Sequence, residues 1–478
     1  MKNLFLCVDI GQSRLKIAVY DANLKLKLSD SISLKTIEKK EGYAERDMNY
    51  LWAKFFNLVK KNLNQNKSIG KHLTYICICA HGDGLFPIEQ SGTPTRNAII
   101  SMDTRARKIS DSLNNKNEKK LLSLIGQLTS ANNPAMIIKW LNKNEPKILK
   151  KTRWFLYCKD WIKYNLTGLI STDISSASAG LTNVKNGFYS NEIFKIYNLS
   201  GIKNKFPEIK PSNQINGFLK KNLKQKLGIS QDVKVLEGLH DVSAAMVGMN
   251  CLVESKLLMI GGTFGITQTL SNKKLINKNI LCRTSFESKK WLNIAYTPSC
   301  ANTIDWILKI TNYKINKLER IIRDRLSKGG NKIIFIPYLY GGQTGRLGHG
   351  KFNYIEGGHQ SEDLILSVIE GVIFSLANQI FFMDSKFKLK NIIATGGIFK
   401  IKIITQILAS LTKKNIYFYN NVEAGVLGCA ITCLSSMNSN KVQNTKFMPG
   451  KKQVIKPNKI NYDYLISKYK IFVKEEKK

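Results

Sequence analysis

The chain of 478 residues is 43% hydrophobic and carries a formal charge of +40, from 74 lysines and arginines against 34 acidic residues. That length and apolar content exclude a disordered chain and favour two domains. The basic residues lie in short, scattered pairs such as Lys60-Lys61 and Lys413-Lys414, without interleaved aromatics, so the charge reads as a solvated surface and excludes a base-stacking nucleic-acid platform.

In chain order, residues 4–8 and 15–20 are apolar runs around Gly11-Gln12-Ser13-Arg14. This predicts a β-hairpin with Asp9 at the end of its first strand. Trp52, Phe55, Phe56, Val59 and Leu63 follow helical three-four spacing. Thr74 to Cys79 alternates as a strand, with Cys77 and Cys79 on one face, and runs into His81-Gly82-Asp83-Gly84. Residues 185–232 are polar and lysine-rich, with Pro207 and Pro211, and are expected to form a peripheral insertion. A second apolar run ends in Gly238-Leu239-His240-Asp241. Residues 257–260 and 266–270 flank Gly261-Gly262-Thr263-Phe264-Gly265 as a second hairpin without the aspartate of the first. An internal duplication is therefore expected, dividing the chain into residues 1–244 and 245–478. Leu364–Met383 is apolar but interrupted by Glu370, Asn378 and Gln379, which predicts a buried helix and no membrane span. Asn391–Ala394 reads as a strand ending in Thr395-Gly396-Gly397, before an apolar stretch at 401–411. Tyr462–Val473 reads as a terminal helix. Strands and helices alternate through both halves, indicating α/β layers. The start carries no export-signal pattern, and nine scattered cysteines contain no C-x-x-C pair, so a reduced, cytoplasmic chain without a zinc site is expected.

Glycine-bearing hairpin turns let backbone N–H groups line up toward an anion. Gly11–Ser13 and Gly262–Gly265 are thus candidate phosphate loops, with Ser13 and Thr263 adding hydroxyl donors. Lys16 or Arg14 would add charge, strand alternation being expected to turn only one of them inward. Gly396-Gly397 has the strand–glycine–helix order that brings a nucleotide to a helix N-terminus, though neither G-x-G-x-x-G nor a Walker A pattern is present. Carboxylates at strand ends, Asp9 and Asp241, suit metal–phosphate chemistry and proton abstraction. His81, Asp83 and Asp103 could grip a polyol through carboxylate–hydroxyl hydrogen bonds. Each feature alone also has an ordinary structural reading, as a plain hairpin or a tight connection.

Together these segments resemble the FGGY carbohydrate kinases of the actin/hexokinase-like superfamily. Val8–Lys16 is similar to the first phosphate loop of that family. Gly92-Thr93-Pro94 with Asp103-Thr104-Arg105-Ala106, and Leu166-Thr167-Gly168 with Thr172-Asp173-Ile174-Ser175, resemble its next two signatures. Gly238–Asp241 resembles its catalytic loop and Gly262-Thr263 its second phosphate hairpin. Gly350-Lys351-Phe352 with residues 363–371, then Glu423 with Gly428-Cys429-Ala430, resemble its closing elements. The resemblance implies an α/β fold of two actin-like (ribonuclease H-like) domains with an interdomain active-site cleft. It implies ATP-dependent phosphorylation with Mg²⁺. Asp241 would be the general base and Asp9 would orient the metal and γ-phosphate. Gly11, Gln12, Ser13, Gly262 and Thr263 would hold phosphates, and Gly396 and Gly397 the adenosine side. His81, Gly82, Asp83 and Asp103 would contact the substrate.

The loop His81-Gly82-Asp83-Gly84 is closer to the L-xylulose and erythritol kinase branches than to the Arg-Glu pair of glycerol kinases. A pentulose substrate is therefore expected, with an erythritol- or glycerol-type polyol as the alternative. A catalytically silent sugar or nucleotide sensor is the alternative of another class. A homodimer is compatible with the resemblance. The chain departs from the family pattern at Gln12 and Ser13 for two threonines, Ser101 for a tryptophan and Ile137 for a lysine. It departs again in Gly342-Gln343-Thr344-Gly345-Arg346, and at Ile398 and Ile401 in place of a glycine and a capping serine. The last pair puts nucleotide affinity in question.

Overall fold

The computed structural model describes residues 3–287, 289–342, 348–419, 422–438, 447, 450–458 and 461–477. The expected first hairpin forms from β1 (Leu4–Ile10) and β2 (Arg14–Asp21), with Asp9 opposite Lys16. Its turn closes where the Gly11 N–H donates to the Arg14 carbonyl at 2.9 Å. β3 (Leu26–Ser33) continues the antiparallel ladder, and β4 (Glu45–Arg46) pairs with Ala98–Ile99 outside this sheet. On its other side β1 lies parallel to β5 (Leu73–Ala80), followed by Lys234–Leu236 and Ile215–Phe218. β1 and β5 read as near-continuous apolar runs because the parallel centre of the sheet is covered on both faces.

The peripheral insertion expected at 185–232 is corrected. Ile215–Phe218 is the edge strand of the first sheet, and Phe194, Tyr197 and Phe206 are buried core residues. Its lysines conceal this because they ride on short amphipathic pieces. Helix Lys221–Leu227 buries Leu223 and Leu227 while its lysines face out.

The second half repeats the pattern. Lys256–Gly261 pairs antiparallel with Gly265–Ser271 and parallel with Asn391–Thr395, as β1 does with β2 and β5. The full order is Leu281–Thr284, Trp291–Thr297, Gly265–Ser271, Lys256–Gly261, Asn391–Thr395, Ile416–Tyr419, Lys452–Ile455. Two helices join the halves. Asp241–Gly248 crosses Ala424–Met437, and the latter packs on β1 and β5 although it comes from near the end of the chain. The crossing demands glycines: a Cβ on Gly428 would lie 1.9 Å from the Ala244 carbonyl oxygen, and one on Gly248 2.1 Å from that of Ala424. One buried cluster runs from Phe5 and Cys77 through Met246 and Leu427 to Leu258 and Ile393. The division expected after residue 244 falls inside helix Asp241–Gly248.

Ser361–Phe387 is, among the described residues, the one helix long and apolar enough to cross a membrane. As expected it is a core helix, with Val368, Ile369, Val372 and Ile373 buried. Its Glu370 is buried and accepts from Lys468 of the terminal helix Tyr462–Glu476 at 2.5 Å.

Candidate active site

Strand register builds the site. Asp9 is level with Cys79 on β5, and Cys79 is level with Leu239, so Asp9, His81 and Asp241 emerge at the carboxyl ends of three adjacent parallel strands. Two strand spacings put the β1 and Leu239–His240 tips roughly 10 Å apart. In open α/β sheets this edge is where ligands bind.

Asp241 is the first residue of its helix and its side chain is 35% exposed. Its Oδ1 accepts from the Val242 N–H at 2.7 Å and lies 2.9 Å from His240 Nδ1. Arg283, from strand Leu281–Thr284 of the second half, points Nη1 at His240 Nε2 (3.3 Å). It also directs Nη2 toward Asp83 Oδ2 (3.5 Å) and Nε to Gln127 Oε1 (3.1 Å). With Nε2 accepting from Arg283, the proton sits on Nδ1 and is donated to Asp241. Burial alone would raise the Asp241 carboxyl. His240, His81 and the Val242 N–H outweigh it and hold the group below the usual carboxylate range. His240 takes up the space over Gly82, where a Cβ would fall 1.7 Å from Nε2. This explains the glycine beside His81.

The backbone of the same loop is fixed from behind. The His240 N–H donates to Ser175 Oγ at 2.9 Å, and Ser175 and Ser212 both donate to Asp173. Lys159 bridges Asp160 and Asp173, and Lys163 reaches Asp160 and Glu237, all essentially buried. The threonine-aspartate-serine signature thus acts as a rear support for the loop carrying Asp241.

Asp9 has different neighbours. Lys16 stands opposite it and pairs with Glu423, the residue preceding helix Ala424–Met437, while Gly425 lies against the Asp9 carboxylate. Burial and the negative charge of Asp241 raise the Asp9 carboxyl to about 6, against the lowering effect of Lys16 and the Cys79 thiol. The two carboxylates therefore share one electrostatic environment. The expectation that alternation separates Arg14 from Lys16 is corrected: two residues apart on β2, they share a face. Position along the strand separates them, Arg14 lying beyond Asp9 and donating to Ser31 Oγ at 2.8 Å.

His81 is buried, and burial together with Arg46 lowers it to about 4, so the ring is neutral near pH 7. Its Nδ1 lies 3.4 Å from Ser101 Oγ, which accepts from Gln12 Nε2. Gln12, placed by resemblance among the phosphate contacts, therefore turns its side chain toward the loop carrying His81 and meets Ser101, the residue that stands where the family pattern has tryptophan. Asp103 is buried with both oxygens engaged, by Arg105 Nε (2.9 Å) and the Ala44 N–H (2.7 Å). Its direct effect is to hold the segment leading into β4.

At the end of the second sheet, the Gly262–Gly265 turn sits beside Gly396, because Lys256–Gly261 and Asn391–Thr395 are neighbours. Ile398 packs over Gly261, and Ile401 caps helix Lys402–Thr412 without a side-chain hydrogen bond. This end is apolar where the first is charged. Ser13 and Thr263 stand in the two turns, as expected from the sequence. Residues 343–346 of the altered stretch lie outside the described residues.

Sequence reasoning missed Arg283, Gln127 and Arg46. A signal existed for Arg283, a charged residue inside the run Leu281-Cys282-Arg283-Thr284, but nothing in spacing says that it reaches the other half.

The N-terminal-domain model of the FGGY family of carbohydrate kinases matches residues 4–248, and the C-terminal-domain model matches residues 257–437. A probable L-xylulose kinase of Pasteurella multocida is 26% identical, covering 91% of each chain. An L-xylulose/3-keto-L-gulonate kinase of Escherichia coli is 25% identical over 90% of this chain and 88% of the relative. A xylulose kinase structure from Brucella ovis superposes with a TM-score of 0.91 at 19% identity, covering 99% of this chain and 98% of the other.

Proposed function

The chain belongs to the FGGY family of carbohydrate kinases, and we propose from that premise that it moves the γ-phosphoryl group of ATP to a hydroxyl of a pentulose, L-xylulose first. Sugar or polyol phosphorylation is its reaction. The pentulose is favoured by the names of the relatives, one of which pairs a neutral ketose with a sugar acid. The carrying observation is that Asp9 and Asp241 stand at the same edge of one sheet, at the tips of strands on either side of β5, and feel each other's charge, with Asp241 ionised and oriented by His240.

Asp241 accepts the proton of the attacking hydroxyl. Phosphoryl transfer asks for little more than in-line placement and charge stabilisation, so a carboxylate held ionised at neutral pH suffices. His81, Asp83 and Gln12 present polar atoms to the sugar, and Arg283 holds Asp83 and His240 in register. Asp103 contributes by fixing the 44–46 segment. The N–H groups of Gly11–Ser13 and Gly262–Gly265, with the Ser13 and Thr263 hydroxyls, take the phosphates. Gly396 and Gly397 leave room for the adenosine side.

Mg²⁺ fits at Asp9. A carboxylate raised first by burial and then by a second carboxylate gains from a neighbouring cation, and one or two carboxylate ligands are usual where phosphates and water supply the rest. Bound there, Mg²⁺ supplies charge neutralisation to the phosphates.

The test is ADP release with L-xylulose, other pentuloses, erythritol and glycerol. Turnover with L-xylulose at the highest kcat/KM is expected. Phosphorylation of a polyol in preference to every ketose would overturn the substrate assignment.

A further inference from the structure

On the face of the second sheet that the two joining helices cover, a cavity of about 210 Å³ stands outside the candidate active site. Lys256, Lys452, Tyr417, Tyr419, Asn391 and Asn250 line it. Strand register assembles it. Lys256 is level with Asn391, Ile393 with Tyr417 and Tyr419 with Lys452, so these side chains run diagonally across one sheet face. Lys256 and Asn391 begin their strands, whereas Gly261 and Thr395 end them, so this end of the cavity lies roughly 17 Å from the glycine turns.

None of the lining residues is acidic. Lys256 Nζ donates to the Asn250 carbonyl at 2.8 Å, and Lys452 Nζ stands 3.9 Å from the Tyr417 ring centre. Among the described residues neither lysine forms an ion pair. Two ammonium groups facing one recess attract an anion, and lysine suits phosphate. The Asn391 amide and the tyrosine hydroxyls can bond sugar hydroxyls, while the tyrosine rings offer apolar faces to a carbon skeleton. The volume falls below the roughly 300–1,000 Å³ of pockets for drug-sized ligands, which favours a compact metabolite over a nucleotide.

We infer that this cavity is a second small-molecule site, for a sugar phosphate, coupled to the catalytic cleft through helix Asp241–Gly248. The choice of ligand rests on the sugar-kinase reading, whose product belongs to this class. The helix starts at Asp241, and Asn250, two residues beyond its end, lines the cavity. Its eight residues rise about 12 Å, so one short rigid element connects the two places. An anion bound at Lys256 competes with the Asn250 carbonyl for the ammonium group and loosens the end of the helix whose start orients Asp241. Binding is therefore expected to lower kcat.

Calorimetry with D-xylulose 5-phosphate should show two binding events per wild-type chain and one per Lys452→Glu chain, while D-xylulose binds once to each. Lys452 is exposed and takes no part in the catalytic cleft, so the variant should turn over pentulose as the wild type does. At saturating pentulose and ATP, D-xylulose 5-phosphate should still slow the wild type. Lys452→Glu should weaken that inhibition about ten-fold, the scale of one charge-assisted hydrogen bond. A single binding event in the wild type, or equal inhibition of both proteins, would overturn the site. Inorganic phosphate bound there as tightly would overturn the assignment to a sugar phosphate. The binding arm needs no turnover and, in the wild type, no variant. Pentulose turnover with one binding event would remove this inference alone, whereas two events without turnover of any sugar would remove the kinase reading and keep the site.

Discussion

The two glycine hairpins share a topology and differ in chemistry. The first ends β1 in Asp9, faces it with Lys16 and sets Gln12 in its turn. The second has Ile260 before its glycines, Thr263 in the turn and Ile398 packed over Gly261. One backbone plan thus carries a charged turn, where we place the proton and metal chemistry, and a neutral one, whose backbone N–H groups we assign to phosphate. The two hairpins have the same strand pairing, and of the two strands that lead into them only β1 ends in a carboxylate, Asp9.

If that division of labour is correct, changes at the first sheet's tips act on kcat and changes at the second act on nucleotide binding. The largest effect is expected from Asp241→Asn, a loss of about 10³–10⁴-fold in kcat with sugar binding by calorimetry nearly intact. Near-wild-type turnover would remove Asp241 from the mechanism. Asp9→Asn should cost about 10²–10³-fold in kcat. The same position should set the acid limb: with Asp9 raised to about 6, wild-type activity should fall as pH drops through that value, because a protonated carboxyl could not serve the metal proposed there. The stability sign is opposite. A carboxyl raised in the folded state favours folding when protonated, so that contribution is lost as pH rises through about 6, and ionised Asp9 destabilises the protein at neutral pH. Asp9→Asn should therefore raise the thermal midpoint at pH 7.5 while abolishing most activity. A lowered midpoint would contradict the environment assigned to Asp9.

Arg283→Met sharpens the comparison, since this residue belongs to the second sheet but serves the first. A loss of about ten-fold in kcat is expected, with KM for ATP unchanged and a displaced pH profile, because His240 loses the contact that fixes its tautomer. A uniform fall in stability without a change in pH profile would mark Arg283 as a structural tie only. The smallest effect belongs to Thr263→Ala, which should raise KM for ATP by about five-fold, one neutral hydrogen bond, and leave kcat almost unchanged. An effect on kcat instead would blur the division between the hairpins.

Much of this was legible in the residues. Apolar runs closed by glycine marked both hairpins, and the three-four spacing marked the core helices, because those patterns follow from local geometry and the need to cover apolar surface. The segment 185–232 was misjudged for the same reason: its strand is short, at the sheet edge, and surrounded by lysines, so its apolar pattern is too weak to register. Asp103 was visible as a polar residue near the sugar loop, but only its partners Arg105 and Ala44 show what its oxygens do.

By itself the sequence determined which side chains could carry charge at strand ends, since a carboxylate that follows a buried run must emerge at the sheet's edge. Tertiary structure decided which of them act together. Arg283 lies 43 residues from His240 in sequence and in the other half, yet the packed halves bring them to 3.3 Å. Lys16 and Glu423 meet across 407 residues. No spacing encodes such contacts, because they arise from how two sheets and two crossing helices share a single core.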